Sequence, residues 1–155
     1  MSGSILCGID GSADSLAALE VAGRLAGRLG TRLVLAHVMD HAQAPYAAVG
    51  AMGVGGFAPP ITPAPVDEME EVGQRLLDQA ADELGLTEAE RRVVIGLPAE
   101  RLADLADDEE AELIVVGSRG RGAFKAAFLG SVSTSLVGVA RCPVLIVPPG
   151  AADMR

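Results

Sequence analysis

The segment Gly117-Ser118-Arg119-Gly120-Arg121-Gly122 holds three glycines and two arginines and follows directly on the apolar run Leu113-Ile114-Val115-Val116. Gly130 and Ser131 come next, and a helical pattern starts there. Glycines let backbone N–H groups approach an anion closely, and the start of a helix favours negative charge. Arginine supplies fixed donors for phosphate oxygens. These residue types at this spacing form a cradle for a polyanion. Two further segments end strand-like runs in the same way. Asp10 follows Ser4 to Ile9, and Val38 closes Arg32 to Val38.

Several chemistries are excluded. A Walker A loop needs Gly-Lys-Ser/Thr at a helix start, and no such tripeptide occurs. The dinucleotide fingerprint is absent too, because the order here is Gly-x-x-Gly-x-Gly and it follows the fourth strand, not the first. Ser12 and Ser15 have no His or Lys partner that the sequence can locate, so no catalytic residue is assigned. His37 lies within the second strand and reads as a neutral, buried side chain. His41 falls in a loop. Cys7 and Cys142 read as small core residues of a reducing compartment. With two distant histidines they make no metal site.

The chain has 155 residues, 50% of them hydrophobic but only 3% aromatic, so its core is aliphatic. A net charge of −9 argues against nucleic acid or an anionic membrane as partner. Arg119, Arg121 and Lys125 are then a local basic cluster in an acidic chain. The acidic run Asp107 to Glu110 reads as a solvated face. No apolar stretch reaches the length of a membrane span. The N-terminus lacks a basic segment before its short apolar run, which predicts no secretory signal and a cytoplasmic location.

The elements alternate. Strands are expected at Ser4–Ile9, Arg32–Val38, Arg92–Gly96, Leu113–Val116 and Pro143–Val147. A helix capped by Ser12 carries Leu16, Leu19, Ala22, Ala26 and Leu29 on one face and stops at Gly30. A second helix from Val66 shows Met69, Val72, Leu76, Ala80 and Leu84, and Gly85 closes it. A third begins near Pro98 with Leu102, Leu105 and Ala106. A fourth, from Ser131 to Ala140, carries Val132, Leu136 and Val139. Residues 40–65 hold five of the nine prolines and read as a long flexible loop. Alternating strands and helices imply one α/β domain over residues 1–150, with an open parallel sheet covered by helices on both faces and a short tail at 151–155. Ligands of such sheets bind beyond the C-terminal strand ends. Asp10, Val38 and Gly117 to Gly122 all lie there.

These residues carry a resemblance. Ile9-Asp10-Gly11-Ser12 with Ser15, Ala36-His37-Val38, Val115-Val116-Gly117-Ser118-Arg119-Gly120 with Gly130-Ser131, and Arg141-Cys142-Pro143-Val144 together resemble the universal stress proteins, over almost the whole chain and in order. The spacing Gly-x2-Gly-x9-Gly-Ser is that of the family's ATP-binding members. The resemblance implies a five-stranded sheet of order 3-2-1-4-5. It also implies an adenine-nucleotide site for ATP, ADP or AMP, with Mg²⁺ able to bridge phosphates and water. Asp10, beside Gly11, would face the ribose hydroxyls. Val38 would meet adenine through its backbone, and Ile9 and Val116 would flank the base. Gly117 and Gly120 would lie along ribose and phosphates, with Arg119 near them. Gly130 and Ser131 would hold the terminal phosphates, joined by the first-turn N–H groups of Val132 and Ser133. The resemblance further implies a homodimer paired through the last strand, Pro143 to Val147. In that strand order Cys7 and Cys142 flank the fourth strand, too far apart to pair easily.

The expected function is nucleotide sensing or sequestration in a stress response, with at most weak ATP hydrolysis. Two other readings stay open. One is a nucleotide-independent protein-interaction module of the same fold, and the other is a slow ATPase.

Overall fold

The computed structural model describes residues 3–40, 65–119 and 129–153. The loop expected within residues 40–65 falls almost entirely outside these, as do Gly120, Arg121, Gly122 and Lys125.

Five strands, β1 (Ser4–Gly8), β2 (Arg32–Met39), β3 (Glu90–Ile95), β4 (Ala111–Gly117) and β5 (Val144–Val147), form one parallel sheet in the order β3-β2-β1-β4-β5. The helices are α1 (Ala13–Leu29), α2 (Val66–Glu83), α3 (Pro98–Asp108) and α4 (Ser131–Val139). A short 3-10 turn, Ala151–Asp153, follows β5. The sheet has the order and direction that the resemblance implied. The chain passes from β1 to its two neighbours on opposite sides, so a gap opens above the end of β1.

Two aliphatic layers sandwich the sheet. Ile5, Cys7, Leu35 and Val115 pack with Leu19 of α1 and Leu77 of α2. Leu6, Val34, Ile114 and Val116 pack with Leu102 of α3 and Leu136 of α4. The alternation along each central strand sends successive side chains to opposite layers, as a strand buried on both faces requires.

Local chemistry sets the helix ends. The Ser12 hydroxyl accepts the Ser15 N–H at 3.2 Å and caps α1. Gly30 ends that helix in the left-handed region, at φ 65°. Pro98 occupies the first turn of α3, where its missing N–H costs nothing.

Three helix faces differ from the periodicity. In α2 the buried residues are Met69, Gly73, Leu77, Ala80 and Ala81, while Val72 is 52% exposed. Gly73 explains the rotation. A Cβ there would lie 2.7 Å from Val93 Cγ1, so α2 comes down on the sheet at its glycine and not at its valine. In α1, Ser15 and Ala18 replace Leu16 and Leu29 in the buried set because small side chains allow close approach to β1 and β4. In α4, Ser133 and Leu136 are buried, and Val139 faces outward.

The acidic run is only partly a solvated face. At the N-terminal end of the sheet, Glu109 takes Arg92 Nε at 2.6 Å and Arg32 Nη1 at 3.4 Å, and its side chain is only 12% exposed. Glu90 pairs with the same two arginines, at 2.8 and 2.7 Å. Asp107 pairs with Arg141. The two cysteines are free, and Cys7 is fully buried.

Candidate functional site

The gap above β1 is bounded by the ends of β2 and β4. The last β1–β2 partners are Gly8 and Ala36, and the Ile9 N–H then donates to the Ala36 carbonyl at 2.8 Å. Backbone groups alternate sides along a strand, so Val38 turns its N–H and C=O to the same side as Ala36, toward the gap. The next rung would run from the Val38 N–H to the Ile9 carbonyl. That carbonyl instead accepts the His37 ring at Nδ1, 2.7 Å away, and no such rung forms among the described residues. A carbonyl only accepts, so Nδ1 carries the proton. His37 is half-buried and holds the end of β1, a role its position in the sequence does not reveal.

Asp10 stands at the mouth of the gap. Its Oδ1 accepts the Ser12 N–H at 2.8 Å, a local turn that Gly11 completes at φ 82°. Oδ2 has no partner among the described residues and remains an open acceptor.

On the other side, Gly117 ends β4 and aims its backbone at the gap. A Cβ at this position would lie 2.8 Å from both the carbonyl carbon and the oxygen of Asp14. Gly117 is therefore required by the packing of α1 on β4, before any ligand is considered. Ser133 is buried, and its hydroxyl donates to the Gly117 carbonyl at 2.9 Å, with the Ser118 carbonyl at 3.3 Å. That hydroxyl ties α4 to the strand end. Any contact from Ser133 to a ligand falls to its N–H. The Gly130 N–H donates to the Ser118 carbonyl at 2.7 Å, which brings the two ends of the intervening loop together.

Two helices thus start at this edge, and they start differently. Ser12 caps α1 with its side chain. The residue preceding α4 is Gly130, with no side-chain cap. The first N–H groups of α4, from Ser131, Val132 and Ser133, have no intrahelical acceptor. Ser131 is exposed and Val132 half-buried.

Ile9 and Val116, 3% and 5% exposed, lie in opposite core layers, Ile9 with α1 and Val116 with α3 and α4. A groove of about 410 Å³ between α1 and α2 reaches Gly11, Leu16 and Leu76. It opens beside the crevice, and Asp10, Gly117 and Ser131 do not line it.

One residue that the sequence did not single out completes the edge. Asp14, in the first turn of α1, accepts Ser118 Oγ at 3.3 Å and Arg119 Nε at 3.2 Å through one oxygen. The only sequence sign was an acidic residue in a first helical turn, and nothing in that sign points 105 residues ahead.

A doubly wound parallel sheet with a crevice above the end of its first strand defines a class of small α/β domains. The universal stress protein family model matches residues 1–148, and the chain belongs to that family. It is 34% identical to a universal stress protein of Thermus aquaticus over 155 residues, covering 93% of this chain and 97% of the relative. It is 36% identical to the Mycobacterium tuberculosis universal stress protein Rv1996, covering 92% of this chain. It spans only 43% of that mycobacterial relative's length. A crystal structure of a universal stress protein in complex with cAMP superposes with a TM-score of 0.62 at 28% identity, covering 95% of this chain and 97% of the other. No helix among the described residues is long and apolar enough to cross a membrane.

Proposed function

We propose that this chain binds an adenine nucleotide, ATP foremost, in the crevice above β1, and acts as a nucleotide-sensing module. The observation that carries the reading is the uncapped start of α4. Its first N–H groups have no side-chain cap and suit an anion, while in the neighbouring helix the Ser12 hydroxyl already takes the Ser15 N–H. The open Oδ2 of Asp10 suits a ribose hydroxyl, which donates to it. The backbone edge of Val38 offers the donor and acceptor an adenine ring needs. Ile9 and Val116 contribute little apolar contact, because each is already used in the core. The similar protein bound to cAMP supports an adenine ligand.

When bound, Mg²⁺ would neutralise phosphate charge, bridging phosphates and water. The β5 edge, with Val144, Leu145 and Ile146 only half-buried, is the surface we assign to pairing with a second copy.

Isothermal titration with ATP tests the main claim. Heat of binding and a thermal upshift are expected, with both reduced in Asp10→Ala. No heat and no upshift at millimolar ATP would sink the reading.

A further inference from the structure

Resting on the nucleotide reading, we propose that Asp14, Ser118 and Arg119 form a phosphate-reading clamp. In it Asp14 is a positioning residue and Arg119 senses phosphate charge. Ser118, directly after β4, bridges the first turn of α1 and the start of α4. Its hydroxyl donates to Asp14 in α1 at 3.3 Å, and its carbonyl accepts the Gly130 N–H at the start of α4 at 2.7 Å. Arg119, the next residue, is thereby held at the same mouth.

Its guanidinium is gripped by one nitrogen only. Nε donates to Asp14 Oδ2 at 3.2 Å, and the terminal Nη1 and Nη2 have no partner among the described residues. The Asp14 side chain is 13% exposed and that of Arg119 23%, so neither is a free surface charge. Nε–H shares one edge of the planar group with a single N–H of one terminal nitrogen, so a carboxylate on that edge leaves the end edge, formed by Nη1 and Nη2 together, open to an anion. An arginine that is already oriented loses less freedom when it meets an anion. The uncapped N–H groups of α4 would take one set of phosphate oxygens and Arg119 another.

The clamp therefore sets preference by phosphate number. Adenosine has no group for it and AMP has one phosphate, while ATP carries a chain long enough to meet both α4 and Arg119. Dissociation constants for adenosine, AMP and ATP should be measured on the whole protein and on Arg119→Ala, Asp14→Ala, Asp14→Asn and the Asp14→Ala/Arg119→Ala double variant. Thermal melts of each would check folding. The preference for ATP over adenosine should fall roughly tenfold or more in Arg119→Ala, the size of one lost charge-assisted hydrogen bond. Asp14→Ala should lower it similarly, and the double variant should be no worse than Arg119→Ala alone. Asp14→Asn, which keeps an oxygen acceptor for Nε, should restore part of the preference. Adenosine binding should stay constant throughout.

Tighter ATP binding by Asp14→Ala would mean that the carboxylate competes with phosphate, and would overturn the positioning role. Additive losses in the double variant would also overturn it. A wild-type protein that binds all three ligands equally refutes the clamp and spares the nucleotide reading. One that binds none refutes both.

Discussion

Ser133→Ala is the sharpest probe of how the crevice is built. The substitution removes one buried hydroxyl that donates to the Gly117 carbonyl at 2.9 Å. The second acceptor, the Ser118 carbonyl at 3.3 Å, shares the same single proton and adds little. A net hydrogen bond of this kind contributes about 1 kcal/mol, and a buried carbonyl left without a donor costs about 1–3 kcal/mol. The Ser118 carbonyl still has the Gly130 N–H, so only the Gly117 carbonyl is orphaned. Alanine is the better helix former by about 0.5 kcal/mol, which offsets part of the loss. The expected destabilisation is about 1–2 kcal/mol, or a fall in Tm of about 3–6 °C for a chain of this length. Urea denaturation of wild type and variant measures it, with the slope unchanged. Ser131→Ala is the control, because Ser131 is exposed two residues earlier in the same turn, and it should stay within about 0.5 kcal/mol of wild type. Equal stability for Ser133→Ala, or an equal loss for Ser131→Ala, would refute the account of this hydroxyl as the tie between α4 and β4.

Other outcomes follow from the same geometry. Gly117→Ala pushes a methyl against the Asp14 backbone and should destabilise the apo protein by about 1–3 kcal/mol, read by urea denaturation without nucleotide. The hydrogen bond from Arg32, then that from Arg92, hold the Glu90 carboxyl below its ordinary range. A depressed carboxylate contributes stability above its unfolded pKa of about 4.3 and loses it as pH falls through the folded value. Glu90→Gln should therefore melt below wild type at neutral pH, with the gap closing in acid below both values. Burial pushes the Cys7 thiol far up, while Cys142 is raised by partial burial and then by Asp107. Iodoacetamide should label Cys142 slowly in the native protein and Cys7 only after unfolding, as peptide mass mapping would show.

The alternation of strands and helices was legible because buried parallel strands need apolar runs and helix ends need Ser12, Gly30 and Pro98. Helix faces were less so. Periodicity ranks residues by apolarity, yet α2 sits down on Gly73 and α1 on Ser15 and Ala18, where small size wins over hydrophobicity. The acidic run misled for a related reason. Charge alone does not reveal that Arg32 and Arg92 arrive from two strands to meet Glu109. At the crevice, Asp10 and Val38 were marked by their place after strand ends, and the start of α4 by Gly130 and Ser131 ahead of a helical pattern. Gly117, expected along ribose and phosphates, carries a further constraint that the sequence did not show, the close approach of the Asp14 backbone. The pairing of Asp14 with Arg119 was invisible, since it depends on how α1 docks on β4.

That close approach of α1 to Gly117 divides the glycine motif into parts with different histories. A glycine fixed by the docking of α1 would be retained in a descendant that had lost every ligand. Its presence in a sequence is then a mark of the fold alone. Gly130 is different: it leaves the start of α4 bare, and a serine, aspartate or asparagine there would cap the helix as Ser12 caps α1. In this architecture, drift away from anion binding would show first at position 130 and last at position 117.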